Sequence, residues 1–409
     1  MTSSEAATCA CANRGPVFGE GTSNDAENRI TINKNNSAVN RNVTWDKSYK
    51  TNFGIDFNTL NSRLSVNFDY YYTRNREMLL NIQNSTPTTI GTQTAALNVG
   101  EMDNWGVELS LTWKDKIGKD FKYRVGINTG YSDNKVYNMD WENEYLYRQI
   151  QYGHRSDVGI WGMECIGMFR NYQDIEEYFD KYNITSYMGM TKDKVRPGML
   201  IYKDVRGAQQ ADGTYAAPDG IVDKDNDQVQ LSSRSSNPYG FTTNLSAEWK
   251  GISLTAQISA SWGAYSFVPS SALKAGTYGI EMTNMPSIWN VDNMFSYTSV
   301  YDANGNVLVQ QNLEATMPNL AYSSVNSVTS SFWRISGTRV YLNRLTLAYT
   351  IPSQWTKKIG IASARINITG QNLLSFYNPY PDKFMDPMAG SYGNYPNLRK
   401  WTIGVNLGF

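Results

Sequence analysis

Four carboxylates crowd one short stretch of this chain. Asp219, Asp223, Asp225 and Asp227 fall within Asp219-Gly220-Ile221-Val222-Asp223-Lys224-Asp225-Asn226-Asp227. Hard cations such as Ca2+ take several carboxylate and carbonyl oxygens on a tight, glycine-containing loop, which makes these residues candidate ligands. The stretch departs from an EF-hand, because Arg234 rather than a glutamate stands twelfth from Asp223. The competing reading is an acidic turn, in which Asp side chains accept hydrogen bonds from nearby backbone N–H groups.

A second stretch, Phe376 to Asp382 and Tyr392 to Asn397, interleaves aromatic rings with amides and carboxylates. Sugar rings stack on aromatic faces while their hydroxyls need polar partners, so Tyr377, Tyr380, Asp382, Tyr392, Asn394 and Tyr395 are candidate ligand contacts. The same residues could instead pack a large loop on its neighbours or on a covering protein. Residue supply argues against catalysis. His154 is the only histidine, and no nucleophile and base stand in a recognisable arrangement. Cys9 and Cys11 lack a second pair with which to build a thiolate metal site, and with Cys165 they read as incidental thiols.

The elements that must carry these loops are strands. Trp401, Ile403, Val405, Leu407 and Phe409 share one face of the last segment, and Thr402, Gly404, Asn406 and Gly408 the other. Similar alternation runs through Leu64 to Tyr72, Trp105 to Trp113, Phe121 to Tyr131, Phe241 to Trp249, Ile252 to Trp262, Tyr341 to Ile351 and Ala364 to Ile368. Lys122 and Arg124 fall on the polar side of one such strand, and burying them in a sandwich core would cost several kcal/mol unless each were paired. A water-filled lumen removes that cost, and aromatic girdles at the two membrane interfaces account for 28 Tyr and 11 Trp in a chain that is only 41% apolar. No run of apolar residues is long enough for a membrane-spanning helix. With 37 basic and 37 acidic residues the net charge is zero, which argues against nucleic acid as a partner.

The expected fold is therefore all-β: an antiparallel transmembrane β-barrel of roughly 12 to 14 strands of about ten residues each. Connections come in two sizes. Residues 114–120, 250–251 and 352–360 are short, whereas 139–197, 204–238, 262–331 and 376–398 are long, matching short periplasmic turns and long external loops. Tyr172 to Tyr182 has the apolar spacing of one short surface helix, with a solvated loop as the alternative.

From about Val43 to Phe409 the chain resembles the SusC/RagA class of TonB-dependent outer-membrane transporters. The resemblance rests on Thr44-Trp45-Asp46-Lys47, on Asn98-Val99-Gly100-Glu101-Met102-Asp103-Asn104-Trp105-Gly106, on Gly159 through Phe169 and on Pro197-Gly198-Met199-Leu200. Further on it rests on Phe332-Trp333-Arg334 and Thr369-Gly370-Gln371-Asn372-Leu373-Leu374. The tail resembles the signal read by the barrel-assembly machinery, with Thr402, Gly404, Leu407 and Phe409 at its polar, glycine, hydrophobic and aromatic positions.

The resemblance implies an importer in the outer membrane of a Gram-negative cell, with its barrel in outer-membrane lipid. It implies a larger barrel of about 22 strands, of which this chain supplies a C-terminal partial set. It further implies an N-terminal plug, a SusD-like lipoprotein lid, an oligosaccharide or peptide ligand, and energy from the TonB complex through an N-terminal part outside these residues. Such transporters carry a compact Asp-rich stretch near Asp219, which an insertion, Ala208 to Pro218, lengthens here. Residues 1–42, with no recognisable signal peptide, read as an atypical N-terminal segment and barrel loop, and 43–409 as barrel. Two alternatives remain open on sequence: an all-β carbohydrate-binding module, soluble or at the surface, and a passive porin.

Overall fold

Short turns and long connections alternate between the long strands of the described residues. The computed structural model describes residues 40, 42–81, 95–139, 146–273, 288–289, 292–389, 392–395 and 397–409. The readings made on Cys9, Cys11 and nearly all of 1–42 lie outside these residues. Among those described, one sheet holds nine long strands in sequence order. They are β1 (Lys47–Thr59), β2 (Leu64–Leu80), β3 (Leu97–Ile117), β4 (Phe121–Asn138), β5 (Tyr239–Trp249), β6 (Ile252–Trp262), β7 (Arg339–Ile351), β8 (Ser363–Tyr377) and β9 (Lys400–Gly408). Residues 60–63, 118–120, 250–251 and 352–362 form the short links, and 81–96, 139–238, 263–338 and 378–399 the long ones. Lys250 and Gly251 both adopt positive φ, as a two-residue hairpin turn of type I′ requires.

Nine strands are fewer than the 12 to 14 that alternation predicts. The difference lies in the long connections, whose own strands, such as Cys165–Met168 and Leu200–Tyr202, pair within the connection and have only a few residues. A barrel strand needs about 9 to 11 residues to cross a bilayer. Residues 139–197 and 204–238 accordingly belong to a single connection between β4 and β5.

The described residues pack as two compact units, one lying within 1–52, 71–106 and 133–156, the other within 53–70, 107–132 and 157–409. In the first, Asp103 is only 2% exposed and accepts hydrogen bonds from the Tyr72 hydroxyl and, at 2.6 Å, from Arg76. A buried carboxylate needs such partners, and the guanidinium plane also lies over the Tyr137 ring.

In the second unit the antiparallel register sorts side chains into rows. Phe121, Trp249, Ile252, Tyr349, Ile366 and Val405 stand side by side across β4 to β9, and the next row is Tyr123, Ala247, Leu254, Leu347, Ile368 and Ile403. The interleaved rows point the other way and are polar. One is Arg124, Ser246, Thr255, Thr346, Thr369 and Thr402; another is Gly126, Asn244, Gln257, Arg344, Gln371 and Lys400. The apolar rows remain exposed, Ile403 to 73%. Hydrocarbon is the medium that suits such a face, and water the one that suits the polar rows. Lys122 and Glu248 pair at 3.6 Å on the wet side.

One residue breaks the alternation read from sequence. Asn343 is an extra residue in β7, so Arg344 pairs with Gln257 while Leu342 pairs with Ile258. A bulge of this kind moves every side chain beyond it to the other face. Tyr341 therefore joins Ser259 on the polar face rather than Leu345, Leu347 and Tyr349 on the apolar one.

The long connections of this unit enclose a core of their own, built from residues such as Met163, Phe169, Tyr187, Leu200, Phe295 and Trp333. The expected helix is present as α1 (Tyr172–Tyr182), and it turns Ile175, Tyr178 and Phe179 into that core. Asn171 caps it, with Asp174 completing a reciprocal capping box, and Asn183 ends it in the left-handed conformation.

Candidate functional site

The acidic stretch folds as a set of turns. Asp223 accepts from the backbone N–H of Asp225 and Asn226, both at 2.7 Å, and Asp219 accepts from Ile221 N–H at 3.0 Å. Asp227 is fully buried and accepts three backbone N–H bonds, from Val205, Arg206 and Asp223. Burial pushes the Asp227 carboxyl up to about 6 against the pull of those donors, and it raises Asp204 as well. Asp204 accepts from Gly220 N–H at 2.7 Å. Gly220 has φ +79 and a Cβ there would meet Asn183 O at 2.4 Å, so only glycine fits this turn. Among the described residues no three His, Cys, Asp or Glu side chains converge as a metal-binding group. Asp219, Asp223 and Asp227 each accept at least one backbone N–H bond.

In the last long connection the aromatic candidates divide by role. Tyr380 is buried to 7% exposure and packs edge-on against Phe384, which in turn packs against Tyr392. Tyr377, Asp382, Asn394 and Tyr395 are exposed, Tyr395 to 80%. The concave surface here, a pocket of about 410 Å³, is instead lined by residues between and beside them: Asn378, Lys383, Asp386, Asn397 and Arg399, with Tyr341 from β7. The charges and amides that flank the rings, rather than the ring faces, form this surface, and nothing in their spacing marks them in the sequence.

A second concavity of about 560 Å³ runs along the polar face, where Asp69, Glu108, Ser110, Asn128, Ser259 and Tyr341 contribute to its lining. The Ser110 hydroxyl lies 2.8 Å from the Asn128 amide oxygen, and Thr346 and Thr369 exchange a hydrogen bond at 2.9 Å. Such a wall offers hydroxyls and amides to water or to a hydrophilic solute.

At the end of the chain, Thr402 pairs with Thr369 and Gly404 with Asn367. A Cβ at Gly404 would come within 2.9 Å of the Asn367 amide. Leu407 and Phe409 stand on the exposed apolar face, Phe409 to 91%.

Comparison with known proteins agrees with this geometry. No family model matches the chain. TonB-dependent receptor P3 of Formosa agariphila is 23% identical over 390 residues, which cover 91% of this chain and 35% of that protein. TonB-dependent receptor SusC of Bacteroides thetaiotaomicron is 29% identical over 99 residues, 24% of this chain and 10% of that protein. The chain resembles the barrel portion of TonB-dependent receptors of the SusC/RagA type.

Solved structures bear out the SusC/RagA-type fold. The RagAB peptide transporter aligns with a TM-score of 0.61 and 20% identity over 93% of this chain and 37% of that one. The RagAB importer in its closed-closed state gives 0.63 and 22% over 91% and 36%. The chain thus spans about 35% of the length of the curated receptors it matches across most of its own length. As an outer-membrane β-barrel it needs no helical span, and no described helix is long and apolar enough to form one.

Proposed function

We propose that this chain is the C-terminal barrel portion of an outer-membrane importer driven through TonB, working with a SusD-like lid and carrying an oligosaccharide or a short peptide. One observation carries the reading: consecutive rows across six strands are apolar on one face and hydroxyl- or amide-rich on the other. A soluble carbohydrate-binding module has no use for the uncovered apolar rows. The peptide alternative draws support from the RagAB structures, described as a peptide transporter and importer. The oligosaccharide alternative draws support from the hydroxyl- and amide-lined polar face. The test is uptake of labelled oligosaccharides and peptides by cells expressing the full-length protein that carries this chain. Accumulation that stops when the proton-motive force is dissipated supports import, and uptake that persists without it identifies a passive pore.

A further inference from the structure

We propose that the pocket beneath the last long connection is a carboxylate-binding subsite, which recognises an acidic group on the imported solute. Lys383 and Arg399 both line it, and among the described residues neither forms an ion pair. The pocket's one carboxylate, Asp386, is already engaged: it accepts from Met388 N–H at 2.9 Å and from the Asn397 amide at 3.3 Å. Asp386 keeps its charge, so two cations against one carboxylate leave the pocket with a net positive charge. The amides of Asn343, Asn372, Asn378 and Asn397 stand in the same lining beside leucine, methionine and proline side chains, and a guanidinium and an ammonium in that setting suit an anion.

Three structural features accompany this arrangement. The register shift at Asn343 in β7 faces a second irregularity in β8, where Asn372 takes φ +53 and donates to Leu398 O at 3.3 Å. Asp382 and Lys383 are consecutive non-glycine residues with φ near +50 (49 and 53), a conformation that surrounding structure must enforce. The Tyr341 hydroxyl is buried at the pocket with no well-formed hydrogen bond. A buried hydroxyl without a partner is costly, and an acceptor oxygen on a ligand would relieve it. Strain and an orphaned donor beside free charge mark a site shaped for something else to complete.

The shared chemistry is a carboxylate, whose source is either a uronic acid or the C-terminus of a peptide. The inference takes the origin of the ligand from the import reading, but its test measures binding alone, so its failure leaves import standing. The full-length protein carrying this chain, purified in detergent, is titrated calorimetrically with four probes: galacturonate trimer, the neutral galactose trimer, pentaalanine and pentaalanine amide. The acid member of at least one pair should bind about tenfold more tightly than its neutral counterpart, and Lys383→Gln or Arg399→Gln should remove that advantage. Lys383→Arg and Arg399→Lys, which keep the charge, should retain most of it. Preference within the sugar pair identifies a uronate site, and preference within the peptide pair a peptide terminus. Equal binding of acid and neutral probes, no binding of any probe, or an acid preference untouched by both glutamine variants overturns the proposal. Heat-modifiable electrophoretic mobility verifies that each variant is folded, and Tyr341→Phe offers an independent variant that removes only the orphaned hydroxyl.

Discussion

Ser110 and Asn128 meet at 2.8 Å between β3 and β4, which places Ser110 on the same face as Thr242, the register partner of Asn128. Leu109 must then face the other way. Leu109→Arg puts a charge against hydrocarbon and should cost about 2 to 4 kcal/mol near the bilayer midplane, whereas Ser110→Arg reaches water and should be tolerated. Folded protein in the outer membrane, measured for both variants of the full-length protein, reads the difference. Equal tolerance, or greater damage from Ser110→Arg, would mean that the assigned faces are exchanged.

The core of the long connections depends on two polar side chains. The Tyr187 hydroxyl donates to Leu200 O and accepts from Tyr202 N–H at 3.1 Å. Asn326 accepts from Leu200 N–H at 2.8 Å and donates to Gly198 O at 2.9 Å and Asn319 O at 2.8 Å. Each truncation strands buried backbone groups, at about 1 to 3 kcal/mol per group. Tyr187→Phe and Asn326→Ala should both speed proteolysis within 157–338, and Asn326→Ala, which strands three groups, should do so more. Digestion rates no faster than those of the parent protein would show that these bonds do not hold the connection.

Asp227 should give the 204–227 loop a pH dependence of definite sign. Burial raises its carboxyl to about 6, above the ordinary 3.8, so the folded loop holds the proton more tightly than the unfolded chain. The stabilisation is fully present below the ordinary value and is lost as pH rises through about 6. Hydrogen exchange in peptides spanning this loop, corrected for intrinsic rates and run in chelator, should therefore show weaker protection at pH 7 than at pH 5. Asp227→Asn should flatten that change. Protection that strengthens with pH in the parent protein would mean that the three N–H donors outweigh burial.

Much of the barrel is legible in sequence because lipid on one side and water on the other impose a period of two that single residues report. Trp105 to Trp113 and Phe121 to Tyr131 show it plainly, and both lie inside observed strands. The bulge at Asn343 is not legible, because an extra residue leaves Tyr341 looking apolar and in phase until its partner Ser259 is seen. Helix α1 was marked by Ile175, Tyr178 and Phe179 at helical spacing. The core around Tyr187, Phe295 and Trp333 was not, since it joins segments more than a hundred residues apart without local periodicity. The pocket of Lys383 and Arg399 escaped for a related reason: its chemistry lies in the absence of partners, and pairing is a property of three dimensions.

The terminal strand allows assembly to be tested apart from ligand binding. Phe409 is 91% exposed and ends the apolar face of β9, whose nearest connection is the short 352–362 link rather than the long loop that carries the pocket. It contributes little packing within this chain, so its removal should not unfold a barrel already formed. If Phe409 serves recognition by the assembly machinery, deleting it from the full-length protein should lower the amount reaching the outer membrane, while the molecules that do fold keep the parent's ligand affinity and heat-modifiable mobility. Phe409→Tyr, which keeps the aromatic ring, should restore assembly, and Phe409→Ser should not. Unchanged membrane levels on deletion, or loss of affinity at normal levels, would remove the basis for assigning Phe409 to assembly.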